Sequence, residues 1–317
     1  MKKVLCIGSV TTDVIIKPVD ALPTPGELQF IDSSSMFVGG CASNASIDLA
    51  KLGVPVSLCV KLGKDLFGHF VYDTCKEAGV DVRGCVMDEG VQTTTSIVCV
   101  NSDGERSFLY NGGSTSAMTD KDISDELIAD ADIVFLAGAL LTHGLDGEPA
   151  AKMFAKAQSM GKFTVMDTAW DPTGRWMKGV EAALPHLDLF MPSIEEAQKI
   201  AGKEDFDDIA DVFFAKGVKN VIIKAGKKGA YIREGGKKGY FAPTYLSIKP
   251  TDTTGAGDSF CAGFLAGLAQ DFDFEKSAKL GNAVGTHCVM ELGASTGIKP
   301  LAEIYKFMEE HTDEVAL

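Results

Sequence analysis

The segment Asp252-Thr253-Thr254-Gly255-Ala256-Gly257-Asp258-Ser259-Phe260 decides how the rest of the chain is read. Upstream, residues 239–245 carry Tyr240, Phe241 and Tyr245 in a β-like run, and Pro250 bars a helix before the segment begins. Downstream, Phe260, Phe264 and Leu268 recur every four residues with Cys261 and Leu265 beside them, the apolar stripe of a helix over 257–269. Gly255 and Gly257 then fall in the turn that opens this helix, where backbone N–H groups lack intrahelical partners. Without Cβ atoms such a turn can approach a ligand closely, and the helix N-terminus adds roughly half a positive charge. The product is a small anion pocket. Asp258, in the first turn, is either a partner of the helix dipole or, beside that pocket, a base that takes a proton from an attacking hydroxyl.

Outward from this segment the chain alternates strand and helix. Strands are predicted over 4–10, 56–62, 132–141, 163–167, 189–191, 221–224 and 230–233, and helices over 148–160, 195–201, 208–216, 274–290 and 301–310. Gly39-Gly40-Cys41-Ala42-Ser43-Asn44 opens a further helix that Gly53 stops, and the stretch from Gly63 to Gly68 opens another that Gly79 stops. This alternation predicts an α/β fold, a doubly wound and mostly parallel sheet with helices on both faces. Two excursions interrupt it, at approximately 12–37 and 93–113. The first is irregular and β-like around Pro18, Pro23 and Pro25; the second is a hairpin turning at Asn101-Ser102-Asp103-Gly104. Together they form a small β lid on one domain spanning 1–317, because no repeat or low-complexity linker divides the chain.

Composition narrows the function. A formal net charge of −14 argues against nucleic-acid and anionic-membrane partners, which need a basic face. Eight cysteines, none in a C-x-x-C pair and several inside apolar runs, read as buried free thiols of a cytoplasmic protein. The five histidines show no metal-ligand spacing. The N-terminal apolar run is too short for a signal peptide, and no run approaches the roughly 18–20 apolar residues of a membrane helix.

Gly255-Ala256-Gly257-Asp258 followed by Ser-Phe resembles the C-terminal signature of the ribokinase-like (PfkB) carbohydrate kinases, and Gly39-Gly40 with Asn44 resembles their N-terminal G-G-x-x-x-N. The resemblance implies an ATP-dependent carbohydrate kinase in which Asp258 is the catalytic base and the backbone of Gly255, Ala256 and Gly257 stabilises the transferring phosphoryl. It assigns Asp13, Gly39, Gly40 and Asn44 to the sugar, although Asp13 is also an ordinary turn former and Asn44 an ordinary first-turn helix residue. Ribokinases proper carry Lys directly after Gly-Gly; here Cys41 stands there, which speaks against ribose. Met191 to Glu196 occupies the place of the family's Pro-Asn-x-x-Glu, with Ser193 for Asn, so Glu196 is either an organiser of Mg²⁺ or a helix-dipole partner.

By the same resemblance, Lys224, Gly226 and Gly229 form a turn over the nucleotide's phosphates and ribose, and Asn282 reaches the adenine. Asp252 and Thr254, with the loop of Gly293, Ala294 and Ser295, imply a K⁺ site. Arg106, in the hairpin that would cover the substrate, is a candidate substrate contact, and Arg175 is the other arginine able to meet an acidic group. Lys61 is read as solvent-facing and without a role, and Gly63, Asp65 and Gly68 as structural. Lacking a basic cluster, the site is expected to take a neutral, unphosphorylated sugar. A nucleoside kinase of the same frame and a non-catalytic sugar or nucleotide sensor are the rivals; neither G-x-G-x-x-G after the first strand nor a Walker motif occurs. Edges of the lid invite pairing, so a homodimer through the lid is expected.

Overall fold

Val4–Gly8 (β1) is buried along its whole length, as an interior strand of a parallel sheet must be. In the computed structural model, which describes residues 1–312, thirteen more strands follow. They are β2 (Thr11–Lys17), β3 (Ser33–Gly39), β4 (Val56–Cys59), β5 (Lys61–Gly63), β6 (Val86–Asp88), β7 (Thr95–Val100), β8 (Arg106–Asn111), β9 (Ile133–Ala139), β10 (Phe163–Thr168), β11 (Leu189–Phe190), β12 (Asn220–Lys224), β13 (Ala230–Glu234) and β14 (Tyr240–Ala242). The helices are α1 (Cys41–Lys51), α2 (Leu66–Glu77), α3 (Gly113–Ala117), α4 (Asp125–Asp130), α5 (Glu148–Ser159), α6 (Met177–Val180), α7 (Ile194–Ala201), α8 (Phe206–Ala215), α9 (Ala256–Ala269), α10 (Phe274–Val289) and α11 (Leu301–Glu310). Residues 313–317 of the expected domain lie outside the described residues.

The central sheet runs β14-β13-β12-β11-β10-β9-β1-β4. All its pairings from β12 to β4 are parallel, and the last two strands turn back antiparallel. Two apolar clusters cover its faces: one gathers α1, α9 and α10 with β4, the other α5, α7 and α8 with β9 and β12. This is the doubly wound, mostly parallel α/β sheet that the alternation predicts. Helix α9 is buried on nearly all sides because it lies between α1 and α10. Its contact with α10 is backbone-close: a Cβ on Gly263 would fall 2.8 Å from Gly281 Cα and from Val284.

A second sheet, β3-β2-β7-β8, is the lid. The expected hairpin is present, with Asn101 Oδ1 accepting from the N–H groups of Asp103 (3.0 Å) and Glu105 (2.8 Å) to shape the turn. Several boundaries differ from expectation. The first strand does not run to Val10 and stop at a turn: Gly8, at φ 137°, bends the chain where a Cβ would fall 2.1 Å from Ala137 O, and β2 begins at Thr11. Asp13 therefore sits within a lid strand rather than after a core strand. The run over 239–245 yields only the short β14, because the next residues leave the sheet to line a cavity.

Lys61 is a plain correction. Its side chain is 11% exposed and its ammonium lies 3.0 Å from Asp122 and 3.5 Å from Asp88, since β5 pairs with β6 and turns it inward. Arg175 donates to Leu140 O (2.6 Å) and Asp146 (2.9 Å), holding the loop after β9. Asp65 caps α2 through Gly68 N–H (2.8 Å), as its structural reading requires. All eight cysteines are unpaired thiols. Among the described residues no helix is long and apolar enough to cross a membrane.

Candidate active site

The turn before α9 is built by Gly255, at φ 78°, where a Cβ would come within 2.6 Å of both Ala294 Cβ and Ala294 O. Only glycine satisfies that conformation and that contact together. The first intrahelical bond runs from Ser259 N–H to Gly255 O (2.8 Å), so the N–H groups of Gly257 and Asp258 precede the helical ladder. Both residues, with Gly255 and Ala256, line a cavity of about 800 Å³, within the range of small-molecule sites. Asp258 is half-buried in its wall.

Asn44, on the first turn of α1, donates Nδ2–H to Asp258 Oδ2 at 2.8 Å. Asn44 is 4% exposed, and its Oδ1 has no hydrogen-bond partner. Burial pushes the Asp258 carboxyl above its ordinary range, while Asn44, the Lys224 ammonium and the Cys41 thiol favour its ionised form. The N-cap of α1, Gly40, is held at φ 92° with its Cα hydrogens facing Val10, where a Cβ would fall 2.5 Å from Val10 Cα. At Gly39 a Cβ would fall 2.3 Å from Asp13 Oδ2, so the missing side chain makes room for that carboxylate. Burial lifts Asp13 to about 6. The glycine pair thus aligns Asp13, the start of α1 and Asn44 in one corner, and Asn44 links that corner to Asp258.

Along the cavity from Asp258 lies Lys224, at the end of β12. Its ammonium is 2.7 Å from both oxygens of Asp167, at the end of β10, and beside the space in front of Gly257. Burial disfavours the Lys224 charge, but Asp167, Cys261 and Glu196 outweigh it and hold the pKa well above the usual lysine value. Glu196 forms a capping box with Ser193 at α7; both hydrogen bonds it accepts, from Thr168 Oγ1 (2.8 Å) and Ser193 N (3.1 Å), fall on Oε2. With Glu195 it lines the cavity near the anion turn, and this donor chemistry fits the hydrated shell of Mg²⁺ better than direct enclosure. Among the described residues no cluster of three or more His, Cys, Asp or Glu could cage an ion. Gly226 and Gly229 lie in the cavity wall, Gly229 at φ 81° against Ala242 O. Asn282 also lines it, with Nδ2 engaged by the carbonyls of Ala242 and Pro243 (2.9 Å each), so its amide fastens the loop after β14.

Asp252 and Thr254 stand outside this cavity wall. Asp252 Oδ1 accepts from Thr254 N (3.0 Å), Thr254 Oγ1 (2.8 Å) and Arg106 Nη2 (3.2 Å), and Oδ2 accepts from Gly293 N (3.1 Å). The Cys288 thiol, with one proton to give, lies 3.3 Å from Thr254 O and 3.2 Å from Ala294 O and donates to one of them. The carboxylate that a monovalent cation would need is therefore already met by N–H, O–H and guanidinium donors, with the unit charge of Arg106 beside it, and the arrangement does not fit K⁺. Arg106, expected over the substrate, is committed by both terminal nitrogens to the loop before α9.

Sequence reasoning brought Asp258, Asn44, Lys224 and Glu196 to one site but missed Asp167 and the wall formed by Tyr245 to Pro250, Thr286 and Val289. Asp167 had a signal: a carboxylate closing an apolar strand, at the sheet edge where open α/β folds bind ligands. The loop had none, because its residues carry no period.

The pfkB family carbohydrate kinase model matches residues 1–300. The chain is 27% identical over 312 residues to a probable fructokinase-5 of Arabidopsis thaliana, covering 92% of this chain and 94% of that one. It is 29% identical over 322 residues to an ATP-dependent ribose-1-phosphate kinase of Halopiger xanaduensis, covering 99% and 100%. The fold matches the structure of Arabidopsis thaliana ribokinase complexed with ribose and ATP at a TM-score of 0.85, with 23% identity over 97% of this chain and 99% of that one. The chain belongs to the pfkB family of carbohydrate kinases. It is accordingly a carbohydrate kinase.

Proposed function

We propose that this kinase transfers the ATP γ-phosphoryl to a hydroxyl of a neutral sugar, with Asp258 as general base. The observation that carries this reading is the Asn44–Asp258 pair: one carboxylate oxygen is fixed by Asn44 Nδ2, while Asn44 Oδ1 is buried without a partner. A hydroxyl of the sugar next to the reacting one, donating to that oxygen, satisfies it and brings the reacting hydroxyl beside the base with its proton toward Asp258. Asp13, against Gly39, accepts a further hydroxyl. ATP occupies the 800 Å³ cavity, its γ-phosphoryl at the N–H groups of Gly257 and Asp258 and its charge met by Lys224. Magnesium, when bound, screens the phosphates, and Glu196 is the side chain placed to hold its waters. The lid excludes water, which suppresses futile ATP hydrolysis. Because both terminal nitrogens of Arg106 are engaged on the core, Arg106 is not left to meet a substrate phosphate, and this favours an unphosphorylated acceptor.

A nucleoside acceptor is the second reading. Register places Phe37 opposite Asp13 and Tyr110 opposite Ser96, which is itself opposite Asp13, so two aromatic rings share the lid face of that carboxylate. Such rings can stack on a nucleobase as well as on a sugar's C–H face. ADP release measured across ketohexoses, ribose, keto-deoxy sugar acids and nucleosides separates these. A sugar that raises ADP output far above every nucleoside is expected; the reverse order establishes the second reading, and no response to any acceptor defeats both.

The opposite lid face carries a row of apolar side chains, Val14, Met36, Ile97 and Leu109, across all four strands, with the last three exposed. A homodimer through the lids covers it. Eight unpaired thiols suit a reducing, cytoplasmic setting.

A further inference from the structure

Asp252 is where three distant pieces of chain meet. Arg106 reaches it from the start of β8 in the lid, Thr254 from the turn before α9, and Gly293 from the loop after α10. Arg106 also donates Nη1–H to Thr254 Oγ1 at 2.8 Å. Thr254 is thereby held at its N–H, by Asp252, and at its hydroxyl, by Arg106 and Asp252 together. The next residue is Gly255, whose left-handed conformation aims the free N–H groups of Gly257 and Asp258. Whatever fixes Thr254 fixes the anion hole. Of the backbone carbonyls nearby, Val289 O accepts from Thr251 N (2.7 Å) and Asp252 N (3.2 Å), and the single proton of the Cys288 thiol serves either Thr254 O (3.3 Å) or Ala294 O (3.2 Å). A guanidinium carries the same unit charge as a monovalent ion, but delivers it through directed donors on a movable arm.

We propose that Arg106 is a positioning residue and the built-in cation of the turn before α9. Seating of the lid hairpin brings its guanidinium onto Asp252 and Thr254, so the anion hole is completed only under a seated lid, and phosphoryl transfer proceeds without a monovalent metal ion. The proposal rests on the kinase reading above for its rate measurement, but its unfolding measurement does not.

The test compares wild type, Arg106→Gln and Arg106→Lys in KCl and in tetramethylammonium chloride at equal ionic strength, reading both ADP release with the best acceptor and the thermal unfolding midpoint. Wild type is expected to give the same rate and the same midpoint in both salts. Arg106→Gln should lose roughly tenfold in kcat in tetramethylammonium, the scale of one lost charge-assisted hydrogen bond. It should regain activity saturably with K⁺, which a merely structural loss would not allow. Its midpoint should rise specifically with K⁺, and Arg106→Lys should retain part of the activity in either salt. Saturable K⁺ activation or K⁺-specific stabilisation of wild type overturns the proposal. So does an Arg106→Gln enzyme that keeps its rate, or one that loses it without responding to K⁺. If no acceptor supports turnover, the midpoints alone decide: a K⁺ response confined to Arg106→Gln upholds the proposal, and any other pattern overturns it.

Discussion

At the scale of single residues, the corner formed by Asp13, Gly39 and Asn44 makes the sharpest demands. A methyl group at Gly39 would overlap the Asp13 carboxylate, which sits 2.3 Å from that position. Gly39→Ala should therefore raise the KM for sugar about tenfold or more while leaving the KM for ATP near its original value, the cost of displacing one charged hydrogen-bonding group. Steady-state kinetics with each substrate varied in turn check this; an equal rise in both values would place Asp13 outside the sugar site. Burial lifts Asp13 to about 6, so its ionised, hydroxyl-accepting form fades as pH falls through that value. Sugar kcat/KM should decline below about pH 6, and Asp13→Asn should lose that limb of the profile. The chemistry of this corner was legible in the sequence because Gly-Gly, Asn44 and Asp13 are sterically exacting types. The placement of Asp13 was not, because a bend at Gly8 and not any local pattern takes the chain from core to lid.

At the scale of elements, α9 is held from two sides. On one, Gly263 and Gly281 let α9 and α10 touch backbone to backbone. On the other, Ser259 donates to Asp48 of α1 at 2.6 Å, and Asp48 Oδ1 has no partner. Burial raises Asp48 to about 7, far above the 3.8 of an unperturbed carboxyl. A carboxyl whose folded pKa is raised adds stability that is complete below the unfolded value and lost as pH rises through the folded one. The unfolding midpoint should thus fall from about pH 4 to about pH 7 and level off above, a window that overlaps the one, about pH 4 to 6, in which Asp13 contributes in the same sense. Asp48→Asn should flatten that fall; an undiminished slope would show that Asp48 is ionised at no cost. The helices themselves were readable from period and glycine stops. The α1–α9 tie was not, since nothing in either segment announces a partner more than 200 positions away.

At the scale of the whole molecule, the strand order and the lid decide what the site can do. The alternation of strands and helices specified the parallel core, and the Asp-Gly turn specified the hairpin. The reach of Arg106 was not legible because its hairpin fixes which element it rides on but not where its guanidinium lands, which is on Asp252 and Thr254. The lid's apolar row predicts dimers: light scattering on a sizing column should give twice the mass of 33.6 kDa, and Leu109→Lys, which puts a charge on that face, should shift it to the monomer. A monomeric wild type would leave the row to another occupant. The claim on which everything else depends is that the carboxylate at the start of α9 takes the proton of a sugar hydroxyl. Its most direct test is the rate of sugar-dependent ADP release by Asp258→Asn under saturating ATP and sugar. A fall of about 10²–10⁴ with ATP binding intact is predicted; an undiminished rate would contradict it.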